Sequence, residues 1–232
     1  MRSGRRGGFF SSRWKIIAVV ALGALLLGGG LIIALEHLRP QTEEAPAPNP
    51  VATITMSDGS AMRFELFPSE APNTVANFID LARSRFYDGL QFYRIVAGVF
   101  IQGGDPNNDG TGGPDYAIKG EFSENGVPNH LSHLRGTLSM ARQQGFDTAG
   151  SQFFIMQGSY PEYDGKYAAF GKAMDDETLA TLDAIAAQPT DSTYLPLTRQ
   201  VISTVRVETF DVDYDKPEKV ERAGEAENGG QR

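Results

Sequence analysis

Cysteine is missing from all 232 residues, so this chain has neither a disulfide nor a thiolate nucleophile. Histidine is nearly missing, with His37, His130 and His133 the three examples. His130 and His133 stand three apart with no second ligand pair nearby, so they read as loop histidines making hydrogen bonds rather than as a metal site. Tryptophan occurs once, at Trp14. Positive charge is scarce: 21 Lys and Arg face 29 Asp and Glu, for a net charge of −8. Five of the positive charges lie in the first fifteen residues, which leaves −13 for the remainder. So acidic a chain is a poor partner for a polyanion, and nucleic-acid binding is excluded as an expectation.

What is present begins with that basic flank, residues 1–15. It is followed by IIAVVALGALLLGGGLIIAL, residues 16–35, without a single charge. Twenty apolar residues in a helix rise about 30 Å, the thickness of a bilayer core. The pattern predicts a single-pass signal-anchor with its amino terminus in the cytoplasm, because the positive charges precede the span. The other reading is a signal peptide cleaved near Gly28-Gly29-Gly30, releasing a secreted protein; the apolar run resumes at Leu31, which favours retention. Residues 36–50 form a proline-rich linker. Residues 211–232 are charged and poor in large apolar side chains, and are expected to be a disordered, solvated tail. One folded domain is expected over 51–210.

Within that domain VATITMSDGSAMRFELF alternates apolar and polar residues around Asp58-Gly59, a hairpin signature. Val75, Phe78, Ile79 and Ala82 recur at helical spacing, with Asn73 or Thr74 as candidate cap and Gly89 beyond the end. A second helix is expected over DDETLATLDAIAAQ, with Leu179, Leu182 and Ile185 on one face. Between and after them lie LQFYRIV, VFIQGG, GTLSMA, SQFFIM, AAFGKA and QVISTVRVETF, short runs punctuated by glycine and proline. With the hairpin they give the pattern of a mainly β barrel or sandwich, and the coarse reading is a closed β-barrel carrying two helices.

Two constellations promise chemistry and fall short. DPNNDGTGGPDY opens like a calcium loop at Asp105, Asn107 and Asp109, but its twelfth position is Tyr116 instead of a bidentate glutamate. It reads as a structured turn. Ser151 follows a glycine in AGSQFF, yet Phe153 stands where a hydrolase elbow needs a second glycine.

FYRIVAGVFIQGGDP, residues 92–106, is different. If the turn at Ala97-Gly98 keeps the alternation of two strands in step, Arg94, Phe100 and Gln102 share one face. An arginine and a glutamine beside a large aromatic form either a binding surface or an edge strand with solvated polar residues.

FYRIVAGVFIQGGDP, GTGGPDY, RGTLSMAR, AGSQFFIM and YDGKYAAFGK occur in this order. Together they closely resemble the cyclophilin family of peptidyl-prolyl cis–trans isomerases, over about residues 51–210. The resemblance implies an eight-stranded antiparallel barrel capped by two helices, an open groove on its face, no cofactor and no metal. It also implies, residue by residue, that Arg94 is the catalytic donor and Gln102 its neighbour. Phe100, Gln152, Phe154, Tyr163 and Tyr167 then line the substrate site, with the backbone at Ala141 and Arg142 holding the substrate chain. Phe153, of opposite parity to Phe154, is expected in the core. The implied activity is isomerisation of X-Pro bonds, here in exported polypeptides. A proline-segment binder or holdase with little turnover is the alternative.

The chain also departs from the family pattern. Tyr93 replaces the histidine of the F-H-R motif, and the Phe-Met pair of the next strand becomes Val99 and Phe100. Arg142 replaces an asparagine, and Tyr163 and Tyr167 replace a leucine and a histidine. Glu162 stands where the family has a tryptophan that contributes to binding the cyclic peptide cyclosporin, so weak cyclosporin affinity is expected. The protein is expected to act as a monomer.

Overall fold

A computed structural model describes residues 47–222. The basic flank, the uncharged span and most of the proline-rich linker lie outside the described residues. Among the described residues no helix is long and apolar enough to cross a membrane.

The hairpin expected around Asp58-Gly59 is present. Strands β1 (Val51–Met56) and β2 (Ala61–Leu66) pair antiparallel, with Gly59 at a φ of 90°. Its alternation directs Ala52, Ile54, Met56, Met62, Phe64 and Leu66 into the core.

Helix α1 (Pro72–Arg83) follows and buries Val75, Phe78, Ile79 and Ala82. The fully buried Phe78 ring meets those of Tyr87, Phe153 and Phe170 at centroid distances of 5.1, 5.6 and 5.3 Å. The expected cap at Asn73 or Thr74 is corrected. The N-cap is Ala71, and Pro72 at the first helical position needs no N–H partner. The orphan N–H groups of Asn73 and Thr74 donate instead to the Glu121 carboxylate, at 2.9 and 2.7 Å. A long-range carboxylate thus does the work of a local cap, and it suits the positive end of the helix dipole. The helix stops at Arg83, ahead of Gly89, which lies beyond its end as expected.

Nine strands form one nearly closed sheet, in the order β3-β10-β1-β2-β9-β7-β8-β5-β4. The expected count of eight is corrected because LQFYRIV is two strands. β3 (Gln91–Phe92) pairs with β10 (Gln200–Glu208), whereas β4 (Arg94–Val96) pairs with β5 (Phe100–Gly103). Tyr93 alone separates them and donates its N–H to Gln102 O at 3.0 Å. The seam of the barrel therefore lies at Tyr93, where the two ends of the sheet are consecutive in sequence. The circuit is completed by β7 (Thr137–Met140), β8 (Phe153–Met156) and β9 (Ala169–Ala173). Helix α2 (Asp176–Ala186) is capped by Asp175, which accepts from Thr178 N at 2.8 Å, and it buries Leu182 and Ile185, with Leu179 half-buried.

Residues 211–222 depart from the expectation of a solvated tail; residues 223–232 lie outside the described region. Strand β11 (Val220–Glu221) pairs with β6 (Tyr116–Ala117). Asn73 and Glu218 exchange two hydrogen bonds, at 2.7 and 3.0 Å, and Pro217 is buried. Composition misleads here because a strap held by backbone and amide bonds needs few large apolar side chains.

Candidate active site

The β4–β5 hairpin puts the site together. Val99 N donates to Val96 O at 2.9 Å, and Gly98 takes a φ of 80° at the third position, the conformation of a type II turn. This turn sets the register Arg94 opposite Gln102, Ile95 opposite Ile101 and Val96 opposite Phe100. Ile95 and Ile101 face the core, and Arg94, Phe100 and Gln102 share the other face, as their alternation implies.

A line of hydrogen bonds crosses the seam from there. Arg94 Nη1 donates to Gln102 Oε1 at 3.3 Å. Gln102 Nε2 donates to the Tyr93 hydroxyl at 2.7 Å, and that hydroxyl donates to Gln152 Oε1 at 2.7 Å. Gln152 Nε2 in turn donates to the carbonyls of Gly110 and Gly112, at 3.1 and 2.8 Å. Every amide orientation follows from the next one, so Gln102 presents its oxygen, not its nitrogen, to Arg94. Burial, with the nearby Asp105 charge, pushes the Tyr93 phenol far above its ordinary range, so it stays protonated and keeps donating.

Arg94 is also held between two rings. Its guanidinium carbon lies 5.1 Å from the centroid of Phe100 and 5.9 Å from that of Tyr194. Tyr194 adopts a φ of 68° in a loop tied down by Asp191, and its carbonyl accepts from Ile95 N at 2.9 Å.

Beside Arg94 lies an apolar cluster, the candidate proline socket. Phe100, Phe154 and Met156 are its buried floor, and Val96, Val99, Ala141, Tyr160, Tyr163 and Tyr167 pack against them half-buried. The Phe100 and Phe154 centroids are 5.5 Å apart, and Tyr167 stands edge-on to Phe154 at 5.4 Å. Val99 restores apolar surface at the rim where the aromatic has moved to Phe100.

Behind the floor His133 is fully buried and stacked on Phe154 at 5.9 Å. Its Nδ1 lies 2.9 Å from Asp164 Oδ1 and its Nε2 2.9 Å from Ser139 Oγ. Burial holds the imidazole below its ordinary pKa in spite of Asp164, so the neutral ring donates from Nδ1 and accepts at Nε2. The arrangement has the form of a hydrolytic triad, but Ser139 is fully buried and no substrate carbonyl reaches it.

A cleft of about 590 Å³ adjoins Arg94, with Gln102, Ala141, Gln152, Gly112 and Arg222 in its lining. Ala141 N donates to Gln152 O at 2.9 Å; the next carbonyl and N–H, of half-buried Ala141 and Arg142, bond to no described residue. The Arg142 side chain turns aside. It donates to the carbonyls of Lys166, Gln143 and Gln144 and packs among the rings of Phe122, Phe146 and Tyr167, at 5.1, 5.3 and 5.0 Å. It therefore braces the socket wall through Tyr167.

The other candidate residues have structural employment. Asp105 accepts from the N–H groups of Asn107, Asp109 and Gly110, the structured turn expected of that loop. Ser151 donates to Gly104 O at 2.7 Å and is buried. His130 meets Glu70 at 3.0 Å. Phe153 is core, as its parity implies. Sequence reasoning missed Tyr93 as a bonded member of the site, and also Met156, Tyr160, Tyr194 and Arg222. Met156 was open to discovery, since it shares the parity of Phe154; the others depend on long-range folding.

A β-barrel with an apolar cluster, an adjoining cleft and a guanidinium held beside both offers a surface of the kind that suits an extended peptide. The comparisons specify the family. The model of cyclophilin-type peptidyl-prolyl cis–trans isomerases matches residues 51–207, and the chain belongs to that family. A peptidyl-prolyl cis–trans isomerase of Helicobacter pylori is 46% identical over 143 residues, covering 62% of this chain and 85% of the relative. Isomerase B of Bacillus subtilis is 50% identical over 117 residues, covering 50% and 78%. A Cryptosporidium parvum cyclophilin, solved in the presence of the dipeptide Ala-Pro, superposes with a TM-score of 0.59 at 34% identity, covering 68% of this chain and 98% of that one. The chain is accordingly a peptidyl-prolyl cis–trans isomerase.

Proposed function

We propose that the enzyme acts on X-Pro bonds of exported polypeptides and assists their folding outside the cytoplasmic membrane, using Arg94 as a donor to the prolyl nitrogen. Amide resonance sets a rotation barrier of about 18–20 kcal/mol. Twisting the bond returns the lone pair to nitrogen, and a donor that meets it only in the twisted state lowers the barrier selectively. Arginine keeps its charge and a planar fork of donors. The carrying observation is its fixation: Gln102 at 3.3 Å and the Phe100 ring at 5.1 Å hold the guanidinium at the socket rim.

The proline ring occupies the socket over Phe100 and Phe154, walled by Tyr163 and Tyr167. Burying three ring methylenes contributes about 2 kcal/mol at ~0.8 kcal/mol each. The Ala141 carbonyl and Arg142 N–H hold the residues before proline, so one side of the bond turns while the other stays put. Gln152 keeps the polar line in order.

The test is isomerisation of an Ala-Pro peptide followed by NMR exchange. Arg94→Ala is expected to lower kcat/KM by about 10²–10³, the usual effect of removing one such donor. Equal rates for the two proteins overturn the catalytic assignment, and binding without turnover in the parent favours a holdase. Export is proposed on the uncharged run at 16–35. Protease added to intact cells should remove the domain if it faces outward; protection until the cells are opened overturns that placement.

A further inference from the structure

Arg222 lines the cleft. It is brought there by the strap, residues 211–222, which begins beyond the 51–207 that match the family. The strap is anchored at three places: the Asn73–Glu218 pair, the β11–β6 ladder, and Lys219, whose Nζ lies 3.9 Å from the centroid of Tyr116. Tyr116 donates to Asn77, and Asn77 donates to Gly150 O in the cleft wall, both at 2.8 Å. The strap and the cleft are thus parts of one bonded unit.

The guanidinium packs against Gly113, where an added Cβ would lie 2.8 Å from Arg222 Nη2. Among the described residues Arg222 meets no carboxylate within 4 Å and donates no side-chain hydrogen bond. The cleft is lined by three arginines, Arg94, Arg142 and Arg222, against one carboxylate, Asp109. Arg142 turns its guanidinium onto three carbonyls and Asp109 accepts from Thr111 N and Oγ1 at 2.9 and 2.6 Å. The lining charge of the cleft in this acidic protein is therefore positive.

We infer that Arg222 forms a subsite for an acidic side chain of the substrate, two or three residues before the proline. This rests on the proposed groove, in which Ala141, shared by socket and cleft, holds the residue before proline, so the preceding residues enter the cleft. The strap thereby adds a charge preference to the recognition of proline.

The test uses the full chain and peptides X-Ala-Pro-Phe and X-Ala-Ala-Pro-Phe, with X as Glu, Ala or Lys. Both kcat/KM and Kd by NMR titration are measured at low and high salt. In one of the two series Glu should exceed Lys by roughly fivefold at low salt, as a partly exposed ion pair gives, and by less at high salt. Arg222→Ala should bring the ratio close to one, and Arg222→Glu should invert it. Equal Kd values for Glu and Lys peptides in the parent overturn the subsite, whatever the turnover. A preference for Glu that survives Arg222→Glu overturns it too. Loss of turnover with all peptides, while Kd still follows charge, strikes the catalytic reading and leaves the subsite standing.

Discussion

Gln102 sits directly opposite Arg94 in the β4–β5 ladder, and its side-chain oxygen accepts from Nη1 at 3.3 Å. Tyr93 and Gln152 keep that oxygen facing the arginine. Gln102→Leu keeps approximate volume and removes the acceptor, so kcat should fall about tenfold with little change in KM. That is about 1.4 kcal/mol, at the lower edge of what a hydrogen bond to a charged group contributes. Tyr93→Phe breaks the line one step further away and should cost less. Stopped-flow or NMR exchange kinetics on both variants check this; a larger loss from Tyr93→Phe would contradict the order of the line.

Tyr194 closes the other side of Arg94 while almost half its surface, 48%, stays exposed. An exposed cation–π contact gives about 0.5–1 kcal/mol. Tyr194→Gly should lower kcat two- to fivefold. The φ of 68° suits glycine, so the melting temperature should not fall. A rate loss accompanied by a lower Tm would mean that the ring supports the loop, not the guanidinium.

Much of this was legible because it is written in short-range pattern. Alternation across Ala97-Gly98 placed Arg94, Phe100 and Gln102 on one face, and helical spacing placed Phe78 in the core. Both are properties of neighbours within ten residues. What escaped is set by residues far apart. LQFYRIV reads as one strand because nothing local announces that Tyr93 bonds to Gln102 while its two sides join opposite ends of the sheet. Glu121 caps a helix 47 residues earlier, which no capping pattern signals. The strap is the sharpest case: DVDYDKPEKVER is polar enough to dissolve, and its hold on Asn73 and β6 appears only once both are in place.

Glu162 lies exposed on the short 3-10 turn Pro161–Tyr163, next to Tyr160 and Tyr163 of the socket rim. A carboxylate there offers a bulky apolar ligand no contact surface. Cyclosporin should bind weakly, and Glu162→Trp should tighten it at least tenfold, as a buried aromatic anchor commonly contributes about 2 kcal/mol or more. Isothermal titration of both proteins checks this. Unchanged affinity would show that another departure, such as Tyr167, sets the weakness.

The buried His133 links the socket floor to stability, and its sign can be worked out. Burial depresses its folded pKa below the ordinary value of about 6.5, so below that pH the unfolded chain binds a proton that the folded chain refuses. The stabilisation from a neutral His133 is complete above about pH 6.5. It declines as pH falls, at up to about 1.4 kcal/mol per pH unit, until the folded pKa is reached. Asp164 behaves separately. Burial raises its carboxyl, but the hydrogen bonds from the His133 backbone and ring outweigh this and hold it below the ordinary range, so its contribution disappears only at more acidic pH. His133→Gln removes the titrating group while retaining a donor and an acceptor for Asp164 and Ser139. Urea midpoints between pH 7 and 5 should fall for the parent and stay flatter for the variant. Isomerase activity in the parent should persist while the fold does. Parallel slopes for the two proteins would place the acid sensitivity elsewhere and leave His133 only as the packing partner of Phe154.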